Sequence, residues 1–183
     1  MTSGPDRRVL ISGCSGGGKS ALVGELSRRG FATVAEPGRR VVAEALRAGT
    51  SALPWIDMTA FARRVMEVSD ADLRSATAGL VFFDRGLVDA AAALAHATGE
   101  PMSPDLAGRF DATVFLAPPW PDIYVTDAER RHGFDEAVAK YERLRIAYTV
   151  LGCEALILPR IAVPLRADWI MASLGTSTQE GMP

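Results

Sequence analysis

The sequence contains no asparagine, and its only glutamine is Gln179. The lack of asparagine excludes the Asn-Lys-x-Asp motif that reads guanine, and it excludes the catalytic-loop asparagine that holds a metal ion in protein kinases. Because the one glutamine stands near the end of the chain, no glutamine within the fold can orient an attacking water as one does in Ras-like GTPases. A conventional GTPase switch therefore lacks most of its parts.

Lysine is also scarce. Of the 20 Lys and Arg residues, only Lys19 and Lys140 are lysines, which leaves eighteen arginines. We therefore expect any further cationic clamp on a phosphate to be built from arginine, whose planar guanidinium suits bidentate contacts. The two cysteines, Cys14 and Cys153, make no disulfide framework and are predicted to be free thiols.

The composition is that of an ordinary globular protein. Of 183 residues, 48% are hydrophobic and 23% are charged, with a net charge of -2, which argues against nucleic acid as a partner. The length predicts one domain over residues 1–175 and a disordered tail at 176–183. No segment approaches the ~18 apolar residues of a membrane span, and residues 1–6 lack a signal-peptide pattern, so we expect a cytoplasmic protein without a membrane partner.

Residues 13–20 match the pattern G-x-x-x-x-G-K-[ST] at every fixed position, after an apolar run at 9–11 and before a helix-like segment at 21–26. In this phosphate-binding loop, backbone N–H groups converge on phosphate oxygens, Lys19 reaches the β- and γ-phosphates, and the Ser20 hydroxyl can ligate Mg²⁺. We therefore expect a nucleoside triphosphate with Mg²⁺. The predicted binding residues are Gly13, Cys14, Ser15, Gly16, Gly17, Gly18, Lys19, Ser20 and Ala21.

Apolar strand-like runs alternate with helical patterns along the chain. This alternation predicts an α/β doubly wound sheet, in which ligands bind beyond the carboxyl ends of the strands. The predicted strands are 8–12, 31–35, 80–83, 112–116 and 155–158. The predicted helices are 19–29, 37–48, one that begins near 57, one that ends near 97, 134–151 and 165–174.

Asp84 ends the apolar run at 80–83, in the place where P-loop proteins hold Mg²⁺ opposite the loop hydroxyl of Ser20. The alternative role for Asp84 is to cap the next helix. The residue that follows is Arg85, where many P-loop ATPases carry a water-activating glutamate, so the sequence favours transfer to a bound acceptor over hydrolysis. We expect Arg85 to contact the acceptor or a phosphate.

Glu36 follows the second predicted strand and is expected at the same edge of the sheet. Its carboxylate could accept a proton from an acceptor hydroxyl or hydrogen-bond that hydroxyl into line with the γ-phosphate, and we favour positioning. The alternative is a carboxylate that stabilises the N-terminus of the helix beginning at Pro37. Arg39 and Arg40 either contact the acceptor or belong to a solvated helix face.

A charged segment at 121–134 has the composition of a small lid. Its Arg130 and Arg131 could close over the phosphates, stabilise the charge of the transferring group and exclude water. The alternative is an exposed segment in which these arginines make weak ion pairs with Asp127 and Glu129.

With these motifs the chain resembles the AAA-type ATP-binding proteins that are similar to the ribosylnicotinamide-kinase domain of the bifunctional bacterial NAD regulator. The resemblance covers most of the chain, and it rests on the order and spacing of six segments. These segments are Ile11–Ser20, Ala35–Arg39, Phe82–Asp89, Phe115–Trp120, Asp127–Arg131 and Tyr148–Gly152.

The resemblance implies a three-layer P-loop fold of the kinase type, with a parallel five-stranded sheet in the order 2-3-1-4-5, helices on both faces and a small lid. It also implies ATP with Mg²⁺ as the phosphate donor, Arg130 and Arg131 in the lid, and a loop at 160–163 that borders adenine. The resemblance does not identify the acceptor, because one fold serves many substrates. The sequence therefore predicts a small-molecule kinase with an unidentified acceptor. The alternative is a regulatory ATPase that switches with its nucleotide, and either could be a homodimer.

Overall fold

The computed structural model describes residues 6–76, 79–124 and 133–175. The predicted tail at 176–183 and the predicted lid residues Arg130 and Arg131 lie outside these ranges. In the described residues, strands and helices alternate as the sequence predicts. The strands are β1 (Arg7–Gly13), β2 (Ala32–Val34), β3 (Leu80–Asp84), β4 (Thr113–Ala117) and β5 (Glu154–Ile157). The α-helices are α1 (Lys19–Arg28), α2 (Pro37–Ala48), α3 (Met58–Ser75), α4 (Leu87–Thr98), α5 (Phe134–Val150) and α6 (Val163–Ser173).

The five strands form one parallel sheet in the order β2-β3-β1-β4-β5, which confirms the predicted order. At the centre, Leu10 of β1 is paired with Phe83 of β3 on one side and with Val114 of β4 on the other. Because all strands run in the same direction, their carboxyl ends lie at one edge. Gly13, Asp84 and Ala117 are the last residues of three adjacent strands at that edge.

Alternation along the strands builds three layers, because successive side chains point to opposite faces of a sheet. On one face, Val9 and Ile11 of β1 pack in a buried cluster with Leu22 of α1 and Ile170 of α6. On the other face, Leu10 belongs to a second buried cluster. That cluster includes Leu73 of α3, Val88 of α4, and Tyr141, Leu144 and Tyr148 of α5. The sheet therefore carries helices on both faces, as the resemblance implied.

The helix boundaries follow from local sequence signals. Gly49 takes a left-handed conformation directly after α2, and the Asp57 carboxylate caps α3 by accepting a hydrogen bond from the Ala60 amide at 2.9 Å. The second strand is shorter than the predicted 31–35, since the Phe31 amide still donates to the Leu26 carbonyl at the end of α1.

Candidate active site

The phosphate loop leaves the sheet at Gly13, where the backbone has no room for a side chain. The φ angle of Gly13 is +107°, and a Cβ atom there would lie 2.4 Å from the carbonyl oxygen of Ala117 in β4. The next amide, that of Cys14, donates to this same oxygen at 2.8 Å. The start of the loop is therefore held by β4 before any ligand is bound.

The loop borders a cleft of about 310 Å³. Six of the predicted nucleotide-binding residues line it: Ser15, Gly16, Gly18, Lys19, Ser20 and Ala21. The other three, Gly13, Cys14 and Gly17, lie beneath the loop surface. A Cβ atom at Gly17 would come within 2.9 Å of the Ala117 side chain, and the Cys14 thiol donates to the carbonyl oxygen of Ala137 at 3.6 Å. These three residues shape the loop from below, while the six face the cleft.

Lys19 stands at the floor of this cleft with only 5% of its surface exposed. Its Nζ donates to the carbonyl oxygen of Cys14 at 2.6 Å. Burial, with a smaller contribution from the charge of Arg85, lowers the Lys19 pKa from 10.5 to about 8, against the opposing effect of Asp84 and Glu36. A partly desolvated cation therefore faces the space that the loop encloses.

Ser20 and Asp84, the two predicted magnesium ligands, lie side by side. The Ser20 hydroxyl donates to Asp84 Oδ2 at 2.8 Å. Asp84 is 2% exposed, and its Oδ1 atom accepts no hydrogen bond from any residue that the structure describes. Helix α4 has Gly86 as its N-cap, so Asp84 does not cap it. Burial raises the Asp84 pKa, and the Glu36 charge adds to this effect while Lys19 opposes it.

This pair of oxygen ligands fits a hard cation such as Mg²⁺. A buried carboxylate oxygen without a partner is costly, and a hydroxyl beside it provides a second hard donor. Across residues 6–76, 79–124 and 133–175, no group of three His, Cys, Asp or Glu side chains could hold a metal ion. A cation at Ser20 and Asp84 would therefore need other oxygens, such as those of phosphates and water, to complete its coordination.

Arg85 is held at several points beside this pair. Its guanidinium donates to the carbonyl oxygen of Gly13 at 2.8 Å and to Asp89 Oδ1 at 3.0 Å, and its Nε lies 3.3 Å from Glu36 Oε1. Burial opposes its charge, but the carboxylates of Asp89, Glu36 and Asp84 outweigh burial and raise the Arg85 pKa. Its φ of +61° is the one positive value among the described non-glycine residues. The backbone therefore adopts a strained conformation where this side chain enters the site.

Glu36 precedes α2 and turns its carboxylate toward Arg85 and Arg39. Its Oε2 accepts a hydrogen bond from Arg39 Nε at 3.2 Å, and its side chain makes no capping hydrogen bond to α2. Burial raises the pKa of this carboxyl, but the charges of Arg85, Lys19 and Arg39 outweigh burial and hold the pKa below its usual value. Glu36 is therefore a carboxylate at neutral pH.

The side chains of Arg39 and Arg40 have different surroundings. Arg39 lines the cleft beside Glu36, whereas Arg40 makes an ion pair with Asp72 of α3. Arg39 therefore lies where it can contact an acceptor, which stays a prediction, whereas Arg40 is partly exposed and lies outside the cleft.

A second and larger cavity, of about 1070 Å³, adjoins the cleft. Side chains of α2, α3, α4 and α5 and of the segment between α2 and α3 form its walls. Four residues line both spaces: Ser15, Glu36, Arg39 and Arg85. The cleft at the phosphate loop and the large cavity therefore meet at a carboxylate and two guanidinium groups.

Comparison with protein families agrees with this geometry. A family model described as an AAA domain matches residues 8–166. The chain belongs to the AAA domain family. The resemblance drawn from the sequence motifs is thus confirmed, and the family is of the P-loop kinase-like type. No curated protein matches the sequence of this AAA domain.

Solved structures similar in fold to this AAA domain include kinases. A shikimate kinase from Acinetobacter baumannii, in complex with shikimate, has a TM-score of 0.60 at 15% identity, covering 94% of this chain and 96% of that chain. A deoxyadenosine kinase from M. mycoides, with dCMP and dCDP bound, has a TM-score of 0.60 at 14% identity, covering 93% and 100%. The likeness at these identities shows the kinase fold.

The NadR protein in complex with NAD and AMP-PNP is also similar. Its TM-score is 0.59 at 18% identity, and the match covers 97% of this chain but 52% of that chain. This AAA domain therefore corresponds to about half of that protein.

Sequence reasoning gave no role to a buried network beneath Arg85. Asp89 of α4 accepts hydrogen bonds from the Ser12 hydroxyl, from Arg85 and, at 2.8 Å, from the Tyr148 hydroxyl. Ser12 and Tyr148 are both fully buried. Ser12, Asp89 and Tyr148 each lie inside a segment on which the family resemblance rests. That resemblance was the only feature of the sequence that pointed to them. Their meeting depends on the packing of α4 and α5 against β1, which no local pattern specifies.

Lys140 of α5 is another residue that sequence reasoning missed. Its side chain lines the large cavity, whereas we expected any further cationic clamp on a phosphate to be built from arginine. Burial and the charge of Arg85 lower the Lys140 pKa. Lys140 lies on a helix with many charged residues, so its sequence context did not set it apart from a solvated surface lysine.

Three further expectations concern other parts of this AAA domain. Arg130 and Arg131 lie outside the described residues, so their place in a lid stays a prediction. Arg160, in the loop expected to border adenine, donates to the carbonyl oxygen of Pro119 at 2.6 Å and lines neither cavity. None of the helices in the described parts of the chain has the length and apolar character of a transmembrane span.

Proposed function

We propose that the protein is a small-molecule kinase that transfers the γ-phosphate of ATP to a hydroxyl or phosphate group of an acceptor. One observation carries the proposal: the cleft at the phosphate loop adjoins a larger cavity, and Glu36, Arg39 and Arg85 line both. A hydrolase needs room for a water molecule at this point. A cavity of about 1070 Å³ has room for a second organic molecule.

The donor half of the site consists of the phosphate loop with Lys19, Ser20 and Asp84. Backbone N–H groups of the loop and the N-terminus of α1 bind phosphate oxygens, and Lys19 donates to the β- and γ-phosphates. Ser20 and Asp84 would hold Mg²⁺ through the hydroxyl and the partnerless Oδ1. When bound, this ion neutralises charge on the phosphates.

Glu36 orients the acceptor in this proposal. A carboxylate whose pKa is held below its usual value is a weak base, but it is a strong hydrogen-bond acceptor for a hydroxyl. In the transfer, the acceptor oxygen forms a bond to the γ-phosphorus while the bond from that phosphorus to the bridging oxygen of ADP breaks. The hydroxyl proton leaves along its hydrogen bond to Glu36 and passes to solvent.

Arg85 stabilises the charge on the transferring group. Its guanidinium is fixed by the Gly13 carbonyl oxygen and by Asp89, so little rearrangement is needed when the phosphate arrives. The sequence-based prediction gives the same role to Arg130 and Arg131, which lie outside the described residues. The mechanism then depends on positioning and charge stabilisation, as phosphoryl transfer generally does.

The similarity to solved kinase structures supports this proposal at the level of the fold. Shikimate and deoxyadenosine are the substrates in the names of those neighbours, and neither is assigned to this protein. The acceptor here is a small metabolite or nucleoside-like molecule whose identity must be measured.

The test is ADP release from ATP and Mg²⁺, measured alone and with a panel of nucleosides, nucleotides, ribosides, sugars and hydroxy acids. The Lys19→Ala variant gives the blank. Release that depends on one class of acceptor supports the kinase and names its substrate class. Slow release that no acceptor changes contradicts the proposal and indicates the regulatory ATPase instead.

The Glu36→Gln variant tests the acceptor half of the site separately. We expect transfer to fall at least ~100-fold while the affinity for ATP stays within about threefold, because a neutral amide cannot accept the hydrogen bond of the acceptor hydroxyl as a charged group does. An unchanged rate of transfer would remove Glu36 from its orienting role.

A further inference from the structure

The large cavity has two chemically different walls. Helices α2, α3 and α4, with the segment between α2 and α3, supply apolar and aromatic surface, which includes Val42, Trp55, Phe61, Val65 and Ala90. Helix α5 supplies mostly charged groups, Glu136, Lys140 and Arg143, besides Leu144. An occupant that satisfies both walls must be amphipathic.

The carboxylates of this cavity already have partners, with one exception. Glu36 pairs with Arg39 and Arg85, and Asp89 accepts from Arg85 and Tyr148. Asp57 is engaged in capping α3. Only Glu136, one helical turn before Lys140, has no hydrogen bond or ion pair with a residue that the structure describes.

The two cations of α5, Lys140 and Arg143, are not partners of any of these carboxylates. Neither Lys140 nor Arg143 makes a hydrogen bond or an ion pair with any residue in the described ranges, and both are only partly exposed. Glu136 lies on the neighbouring turn, yet its carboxylate does not come within ion-pair distance of either cation. An unpaired cation that is partly desolvated is costly, and the lowered Lys140 pKa reflects that cost. A bound anion would offset this cost by pairing with the cations, and unpaired, partly buried charges of this kind are typical of functional sites.

We propose that Lys140 and Arg143 form an anion-binding subsite in the large cavity, so that the acceptor carries a phosphate or carboxylate group besides the group that is phosphorylated. This inference rests on the proposed function only in treating the cavity as the acceptor site. The acceptor hydroxyl then lies at Glu36, its body packs against Trp55 and Phe61, and its anionic group contacts α5.

The scarcity of lysine gives a direct test of binding that needs no acceptor and no turnover. Protein labelled with ¹³C-lysine has only two lysine side chains to observe, and Lys19→Ala assigns the signals. The phosphate loop is first saturated with AMP-PNP and Mg²⁺, so that added anions cannot compete there. The Lys140 Cε resonance is then followed while inorganic phosphate is added in one experiment and acetate in another.

We expect a saturable shift of the Lys140 resonance with at least one anion, and a rise in the Lys140 pKa when that anion is bound. A response to phosphate alone indicates a phosphorylated acceptor, and a response to acetate alone indicates a carboxylic acid. Arg143→Met should lower the affinity for the anion, measured from this titration, at least ~tenfold, since a guanidinium contact to an anion is a charge-assisted hydrogen bond.

Arg145→Met is the matched control, because Arg145 lies on the same helix but is exposed and paired with Glu142. It should leave the titration unchanged. No saturable shift with either anion, or an equal loss in Arg145→Met and Arg143→Met, overturns the subsite. Because the experiment measures binding alone, the subsite can fail while acceptor-dependent ADP release succeeds, and the reverse is equally observable.

Discussion

The cleft at the phosphate loop and the large cavity beside it are built in opposite ways. The cleft, about 310 Å³, is lined mainly by one continuous stretch of chain, and backbone groups and glycines set its shape. The cavity, about 1070 Å³, is lined mainly by side chains of four helices and of the segment between α2 and α3. We therefore expect the cleft to tolerate few substitutions, and the cavity to accept changes of shape and charge without loss of the fold.

We expect this difference to separate nucleotide binding, which depends on the loop backbone, from the choice of acceptor, which depends on the side chains of the large cavity. A site made of backbone N–H groups recognises any triphosphate, so it carries no information about the acceptor. A site made of helix side chains can change its substrate by single substitutions, because those side chains set its charge and contour. Substitutions in the two regions should therefore have effects of different size and kind.

The largest effect is expected from Gly13→Ala. The added methyl group would lie 2.4 Å from the Ala117 carbonyl oxygen, at a φ of +107° that alanine rarely adopts. We expect a loss of about 3 kcal/mol in the free energy of unfolding and loss of ATP binding, measured by urea titration and calorimetry. Gly24→Ala in α1 is the control, since a Cβ atom there meets nothing within 4 Å. That variant should gain about 0.5–1 kcal/mol, and equal effects of the two substitutions would contradict the strain argument.

The next largest effect is expected from Asp84→Asn. The amide keeps the shape of the side chain but removes the charge that would hold Mg²⁺ with Ser20. Transfer should fall ~100-fold or more, and the affinity for ATP should no longer depend on Mg²⁺. Steady-state rates and titrations with and without the metal measure both. Asp105→Asn, at an exposed position, is the control. If Asp84→Asn keeps the wild-type dependence on Mg²⁺, the ion is held elsewhere.

A moderate effect is expected from pH, through Lys19. Its pKa in the free protein is lowered to about 8 by burial, and a bound phosphate should raise it again. Protonated Lys19 binds the phosphate better, so ATP affinity should fall as pH rises above about 8, by up to about tenfold per pH unit. Proton uptake should accompany binding near pH 8. Calorimetry in buffers of different ionisation enthalpy measures both quantities. The Lys19→Ala variant should show neither, and a flat wild-type profile from pH 7 to 10 would contradict the lowered pKa.

Much of the fold could be predicted because its signals are local. Gly49 and Asp57 mark helix ends by their own conformational and capping preferences, and the observed boundaries of α2 and α3 follow them closely. The run 80–83 is apolar without alternation because β3 is buried on both faces. In the second strand the local signal was misleading, since the Phe31 amide continues the hydrogen bonding of α1.

The site was predictable only where one stretch of chain or one strand end defines it. The loop and Asp84 could be found from spacing, because parallel strands bring their carboxyl ends together. Lys140 and the Asp89 network could not, because their positions depend on how α4 and α5 pack across the sheet. The same tertiary packing determines which charged groups line the large cavity. No sequence motif therefore identifies the acceptor.

The smallest effect is expected from Tyr148→Phe. This variant tests whether the buried network around Asp89 supports the phosphate-loop cleft or the helices of the large cavity. The change removes a hydroxyl that donates to Asp89 Oδ2 at 2.8 Å from a fully buried position. Urea titration should show a loss of about 1–2 kcal/mol, since a buried acceptor loses its partner. The Arg85 guanidinium keeps its bond to the Gly13 carbonyl oxygen, so the rate of transfer should change by less than about threefold.

Tyr141→Phe on the same helix is the control, because the Tyr141 hydroxyl makes no hydrogen bond with any described residue, and its stability should stay within about 0.5 kcal/mol of the wild type. A loss of stability alone in Tyr148→Phe would assign the network to the scaffold that α4 and α5 provide for the large cavity. A larger loss of transfer than of stability would mean that Asp89 sets the position of Arg85 through Tyr148. In that case the network works with the phosphate loop, and the rigid part of the site extends from the loop into the helices.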